Sequence, residues 1–113
     1  MGQQETFDTV VSHLRRQNAK AVGNYGLCVY RSTNGRKCAV GCLIPDDKYS
    51  PSLEGHSLEV EFQNELKAIL AEEGHDLDLV RQLQVIHDRV FIHHWETEFE
   101  KLGRSRRLQY HRR

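Results

Sequence analysis

Three cysteines and a histidine are the residues whose chemistry could hold a metal ion. Cys28, Cys38 and Cys42 have the spacing C-x9-C-x3-C, and His87 could supply a fourth ligand. Three thiolates and one imidazole would suit a tetrahedral structural zinc. Zinc sites usually contain closely spaced cysteine pairs, and only Cys38 and Cys42 approach such a spacing. The pattern leaves zinc open and favours small buried thiols with no cofactor, because free cysteines are usually buried apolar side chains.

The same part of the sequence could also supply a thiol nucleophile with a base. Cys38 or Cys42 would attack, His87 would accept the proton, and Asp88 would orient the imidazole. A histidine on the apolar face of a helix is more often a hydrogen-bonded core residue, and His87 lies four residues after Leu83 on such a face. Burial of the apolar run around the two cysteines would raise the pKa of a thiol. The residues therefore favour a protein that is not an enzyme.

Basic and aromatic side chains crowd the middle of the chain, where they could bind a phosphate-bearing ligand or enter a groove of a partner protein. Exposed charges that pair with one another are the alternative interpretation. The predicted binding residues are Tyr30, Arg31, Arg36, Lys37, Asp46, Asp47 and Tyr49.

Charge is balanced over the whole chain but not along it. The 16 basic and 16 acidic residues cancel, which argues against a surface that follows phosphates throughout. Residues 104–113 contain five arginines and no acid, a composition that predicts a disordered, solvated tail or an arm for nucleic acid. No apolar run is long enough to cross a membrane, so we expect a cytoplasmic protein without a membrane partner.

Amphipathic stretches on both sides of the cysteines must position these side chains. Apolar residues at helical spacing predict one helix over residues 5–18, a second that begins at Ser57 and stops at Gly74, a third capped by Asp76 or Asp78, and a fourth near Trp95. The predicted core consists of Phe7, Val10, Leu14, Val40, Leu43, Phe62, Leu66, Ile69, Val80, Leu83 and Trp95.

A tight turn is predicted at Asn34-Gly35, because this pair is typical of β-hairpins. We therefore expect a hairpin near residues 27–41. The apolar run 38–44 fits either a second strand or a short helix, and Gly41 favours a strand end or a close approach of backbone. Together the patterns predict an α+β fold, in which three or four helices pack on a two-stranded hairpin within a single domain over residues 1–103.

Longer motifs are Cys28-x-Tyr30-Arg31, the run from Asn34-Gly35-x-Lys37-Cys38 through Pro45-Asp46-Asp47 to Glu54-Gly55, and Leu83-Gln84-x-x-His87-Asp88 before Trp95. In these motifs the chain resembles, over residues 6–100, a family of small, mostly uncharacterised proteins encoded by tailed phages, prophages and some bacterial chromosomes. The resemblance implies an accessory protein that inhibits or sequesters a host factor, for example in counter-defence, with a host protein or a small nucleotide as its partner. It implies no catalytic residues. A small Cys/His hydrolase and a nucleic-acid binder that uses the hairpin and the arginine tail remain the alternatives.

Overall fold

A computed structural model describes residues 2–23, 26–58 and 63–112 of the chain. Its α-helices are α1 (Gln3–Gln17), α2 (Glu65–Glu72), α3 (Leu77–Arg89) and α4 (Trp95–Ser105). Short 3-10 helices lie at Gly41–Leu43, Asp46–Lys48, Pro51–Gly55 and Ile92–His94. Helix α3 packs against α1, α2 and α4, so it is the centre of the fold.

The predicted α+β class is wrong. The described part of the chain contains helices and isolated β-bridges, but no strand. A turn does form at Asn34-Gly35, where Gly35 has a φ of 87°. The pairing beside it consists of the bridge between Arg31 and Lys37 and two backbone hydrogen bonds, from the Ser32 N–H to the Arg36 carbonyl at 2.8 Å and from the Cys38 N–H to the Tyr30 carbonyl at 3.0 Å.

The hairpin predicted near residues 27–41 is also wrong: the described residues form no strand there, because the chain enters a helical turn directly after Cys38. The Cys42 N–H donates to the Cys38 carbonyl at 3.1 Å, and a 3-10 helix is formed by Gly41–Leu43. A Cβ atom at Gly41 would lie 1.9 Å from the carbonyl oxygen of Tyr30. Gly41 therefore marks a close backbone approach, and the apolar run 38–44 forms a turn and the short 3-10 helix Gly41–Leu43 instead of a strand.

Helix α1 follows from its apolar periodicity. Phe7, Val10, Val11 and Leu14 recur at helical spacing, and all of them are buried. The helix begins two residues before the predicted start at Glu5 and ends at Gln17, where Asn18 takes the left-handed conformation with a φ of 47°. Helices often end with such a residue, because its backbone N–H can bind a free carbonyl of the last turn.

Capping side chains define α2 and α3. The predicted start of the second helix at Ser57 is wrong, because Asn64 caps α2 and accepts a hydrogen bond from the Lys67 N–H at 2.9 Å. Gly74 has a φ of 84° after the helix, as its predicted role as a stop requires. Asp76 caps α3 by accepting from the Leu79 N–H at 2.9 Å, which confirms the prediction for this residue.

The core forms around α3 and contains the predicted core residues. Every predicted core residue is buried except Phe62, which lies outside the described residues. The indole N–H of Trp95 donates to the Val90 carbonyl at 3.0 Å and fixes the junction between α3 and α4. No helix among the described residues is both long and apolar enough to cross a membrane.

Residues that come after α4 turn back onto α1. The side chain of Gln4 accepts from the Gln109 N–H at 2.8 Å and donates to the Gln109 carbonyl at 3.0 Å. The guanidinium of Arg106 binds Asp78 of α3 at 2.6 Å. In the described residues the basic segment is thus part of the packed structure.

Two histidines, His13 and His75, have a lowered pKa in the folded protein. We therefore expect the protein to lose stability as the pH falls below about 6.5, the ordinary pKa of histidine. Burial lowers the pKa of His75, whose Nδ1 lies 2.8 Å from the Thr6 hydroxyl, and also that of His13, whose Nε2–H donates to the Lys37 carbonyl. Between the lowered pKa and about 6.5 the folded chain binds fewer protons than the unfolded chain, so acidification favours unfolding.

We expect the melting temperature to be highest above about pH 6.5 and to fall as the pH drops below that value toward the lowered pKa of the two histidines. In the double variant His13→Gln/His75→Gln this fall should be much smaller, and calorimetry across the pH series would measure it. An equally steep fall in the double variant would contradict the assignment to these histidines.

Candidate functional site

Three of the candidate side chains meet at the C-terminal end of α3. Ligand atoms of Cys28, His87 and Asp88 lie within 4.8 Å of one another, and the described residues contain no other such group. Cys28 reaches α3 because it pairs with Val22, while the neighbouring Ala21 N–H donates to Nε2 of His87 at 3.1 Å. The structure therefore brings together two residues of the predicted zinc set, Cys28 and His87, and adds Asp88 to them.

Hydrogen bonds determine which nitrogen of His87 carries its proton. Because a backbone N–H can only donate, Nε2 must accept from Ala21, and the ring proton is on Nδ1. Nδ1 donates to Oδ1 of Asp88 at 2.7 Å. The ring is fully buried and stacks on Trp95 with a centroid distance of 6.0 Å. Both nitrogens are thus used inside the protein.

Asp88 extends this set of hydrogen bonds toward the central segment, residues 28–44. Its Oδ1 also accepts from the amide of Gln84 at 2.9 Å, and Oε1 of Gln84 accepts from the Val40 N–H at 2.9 Å. We call Cys28, Gln84, His87 and Asp88 the α3-end network. The network connects α3 to the loop before Cys28 and to the helical turn near Val40.

All three thiols are poor nucleophiles in this fold. Burial and then the charge of Asp88 raise the pKa of Cys28. Burial alone dominates at Cys38, which is completely buried and has a raised pKa, and at Cys42, whose pKa is raised to about 12. The thiolate is the reactive form, so at neutral pH these side chains are mostly unreactive thiols.

The bonds of His87 also fit a metal ligand badly. A metal that used Nε2 would displace the Ala21 N–H from that nitrogen's lone pair. A metal that used Nδ1 would need a lone pair there, which would move the ring proton to Nε2. Two donors, Nε2–H and the Ala21 N–H, would then face each other at 3.1 Å. Cys38 and Cys42, the other two predicted zinc ligands, lie outside this group. Cys42 donates its thiol hydrogen to the Ala39 carbonyl instead.

Arg31, a predicted binding residue, holds residues 44–49 in place through side-chain contacts. Its guanidinium donates to the Ile44 carbonyl at 2.5 Å, pairs with Asp46 at 3.0 Å and lies 4.7 Å from the ring centroid of Tyr49. The side chain is only 15% exposed. Arg31 and Tyr49 thus stabilise the loop more than they present a surface.

The carboxylate of Glu54 binds backbone N–H groups that a neighbouring strand would bind in a sheet. Its carboxylate accepts from the N–H groups of Tyr30 and Arg31 at 2.9 and 3.1 Å and from the Tyr49 hydroxyl at 2.7 Å. Burial and then this carboxylate raise the pKa of Tyr49 to about 12. Sequence reasoning missed the roles of Glu54 and Gln84, although both residues lie in the motifs of the phage-type resemblance.

Arg36, Asp46 and Asp47 are the exposed members of the predicted binding set. The Asp46 side chain is 81% exposed, and the charges of Lys37 and then Arg31 lower its pKa. Lys37 lies 3.5 Å from this carboxylate. The set therefore divides into a half-buried scaffold and an exposed group of mixed charge.

Cavities near these residues are small. A cavity of about 120 Å³ beside the α3-end network is lined in part by Tyr30, Gln84, Asp88 and Arg89, and it is smaller than usual ligand pockets. An open groove of about 370 Å³ lies between α3 and α4 and contains none of the predicted site residues.

Comparison of the chain with protein-family models, curated proteins and solved structures found no match. The functional interpretation therefore depends on the geometry of the chain's own residues.

Proposed function

We propose that this protein acts by binding, as a phage-type accessory protein that inhibits or sequesters a host protein without catalysing a reaction. The observation that carries the proposal is the α3-end network. The lone pair of His87 accepts from the Ala21 N–H, and the Nδ1 proton is held by Asp88. A Cys/His nucleophile needs a thiolate and a base whose lone pair can reach the thiol proton. Neither is supplied here, which weakens the hydrolase alternative.

A host protein is favoured over a nucleotide or a nucleic acid as the partner. The cavity of about 120 Å³ beside the network is small for a nucleotide. Two arginines of the C-terminal segment bind acidic side chains of the same chain, Arg104 to Glu100 at 2.8 Å and Arg106 to Asp78 at 2.6 Å. These pairs reduce the charge available to phosphates.

The proposal predicts an effect that depends on stoichiometry. In bacterial cells with an inducible gene, we expect growth inhibition to rise in proportion to the amount of protein, because an inhibitor must occupy its target. Cys28→Ser should retain the effect, since the thiol has no catalytic role. Growth rate would be measured against the quantity of protein in the cell, with a prematurely terminated gene as the control. Full inhibition by trace amounts, loss of the effect in folded Cys28→Ser, or no effect at any amount would contradict the proposal.

A further inference from the structure

Four large hydrophobic side chains are exposed in the described part of the chain. Leu27 and Phe91 are each 72% exposed, Val22 is 39% exposed and Ile92 is 36% exposed. Single exposed hydrophobic residues are common on soluble proteins, but clusters of them usually mark interaction sites.

The α3-end network brings their two segments to the same place. Val22 follows Ala21, whose N–H donates to His87 of α3. Leu27 precedes Cys28, which lies beside Asp88 of α3. Phe91 and Ile92 come three and four residues after Asp88. The four side chains therefore lie on segments that meet at the C-terminal end of α3. We call them the α3-end patch.

Contacts among the described residues hold both sides of this patch. The ring of Phe91 stacks on His93 with centroids 5.8 Å apart, and the centroid of His93 lies 4.1 Å from that of His94. On the other side the bond from the Ala21 N–H to His87 holds the backbone beside Val22 against α3.

Two basic residues, Lys20 and Arg89, and one acidic residue, Asp88, are neighbours of the patch, which leaves a basic excess. Lys20 and Arg89 stand next to the two segments, and the Lys20 ammonium lies 3.4 Å from the Asp88 carbonyl. The nearby carboxylate of Asp88 already accepts from His87 and Gln84 through Oδ1. A partner that brings carboxylates to this rim gains electrostatic complementarity, whereas a basic partner is repelled.

We infer that the α3-end patch binds a short segment of a host protein in which an aliphatic or aromatic side chain stands next to Asp or Glu. This inference rests on the proposed function and adds the surface and the partner chemistry. Leu27 and Phe91 contact the apolar side chain, and Lys20 and Arg89 face the acidic one. Burial of one such side chain strengthens binding by about tenfold or more.

A library of random displayed peptides provides a probe that does not require the host partner. Selection on the native protein should enrich peptides with an apolar residue beside Asp or Glu. For a synthetic peptide of this class, Leu27→Ser/Phe91→Ser should weaken Kd by about 30-fold or more, as expected when contacts of this kind dominate binding. Arg89→Glu should also weaken Kd, and the affinity should fall with added salt.

The matched control is Lys101→Ser/Arg104→Ser, which removes two exposed side chains of α4 away from the patch and should change Kd by less than about twofold. Circular dichroism would show that each variant is folded. No enrichment, enrichment of peptides without acidic residues, or equal binding by the Leu27→Ser/Phe91→Ser variant would overturn the inference.

Sedimentation of the native protein tests a second copy as the occupant instead. A dimer that the Leu27→Ser/Phe91→Ser variant abolishes would overturn the host-protein assignment, and a monomer at all concentrations would support it. The two proposals can also fail separately. Growth inhibition that persists in this double variant rejects the patch and leaves the binding function, whereas inhibition by trace amounts rejects the binding function itself.

Discussion

Gly41→Ala should abolish folding or lower the free energy of unfolding by at least about 4 kcal/mol, a loss that only severe steric conflicts or similar defects cause. The new Cβ would lie 1.9 Å from the Tyr30 carbonyl oxygen and 2.7 Å from its carbon, which are both backbone atoms. The same carbonyl accepts the Cys38 N–H, so it cannot move without loss of that bond. Urea unfolding followed by circular dichroism would measure the change.

Gly55→Ala is the matched control, because a Cβ atom at Gly55 would have no neighbour within 4 Å. We expect this variant to differ from the native protein by no more than about 0.5 kcal/mol. Equal stability of the Gly41→Ala and Gly55→Ala variants would show that the close approach of residue 41 to Tyr30 is not required.

His87→Ala is expected to lower the free energy of unfolding by about 3 kcal/mol. The substitution leaves a cavity beside Trp95 and removes the acceptor of the buried Ala21 N–H. It also removes the donor to Asp88. Denaturant titration would measure the loss, and a lower yield of folded protein should accompany it.

Asp88→Asn is the appropriate comparison, because an amide oxygen can still accept from His87 and Gln84. This variant should lose less than half as much stability as His87→Ala. The structural role assigned to His87 would be refuted if His87→Ala kept the native melting temperature and lost the growth effect, since that result would mark a ligand or a catalyst.

The helices were largely predictable, because their apolar residues repeat with the helical period. The stripe from Phe7 to Leu14 and the cap at Asp76 depend on residues a few positions apart, so local reasoning identifies them. The absence of the hairpin was not predictable from the turn. Asn34-Gly35 does form a turn, but the close packing of Gly41 on Tyr30 and the bond from the Tyr30 N–H to Glu54 determine the path of the chain around it.

The candidate site was less accessible to sequence reasoning. Its residue types could be proposed, but Cys28 and His87 are 59 positions apart along the chain (87 − 28), and no local pattern brings them together. The contact depends on the bond from the Ala21 N–H to His87. Likewise, Arg31 has the residue type of a binding site, and only its bond to Ile44 and its stacking on Tyr49 reveal a scaffold role.

In the central segment, residues 28–44, side chains accept hydrogen bonds from backbone N–H groups that a neighbouring strand would bind in a sheet. This difference affects how these amide protons exchange with solvent. The N–H groups of Tyr30 and Arg31 are held by Glu54, and that of Val40 is held by Gln84. Rotation of a single side chain releases such a proton, whereas release within α3 requires part of the helix to open. The central segment therefore has its own low-energy route of hydrogen exchange, which is separate from global unfolding of the helices.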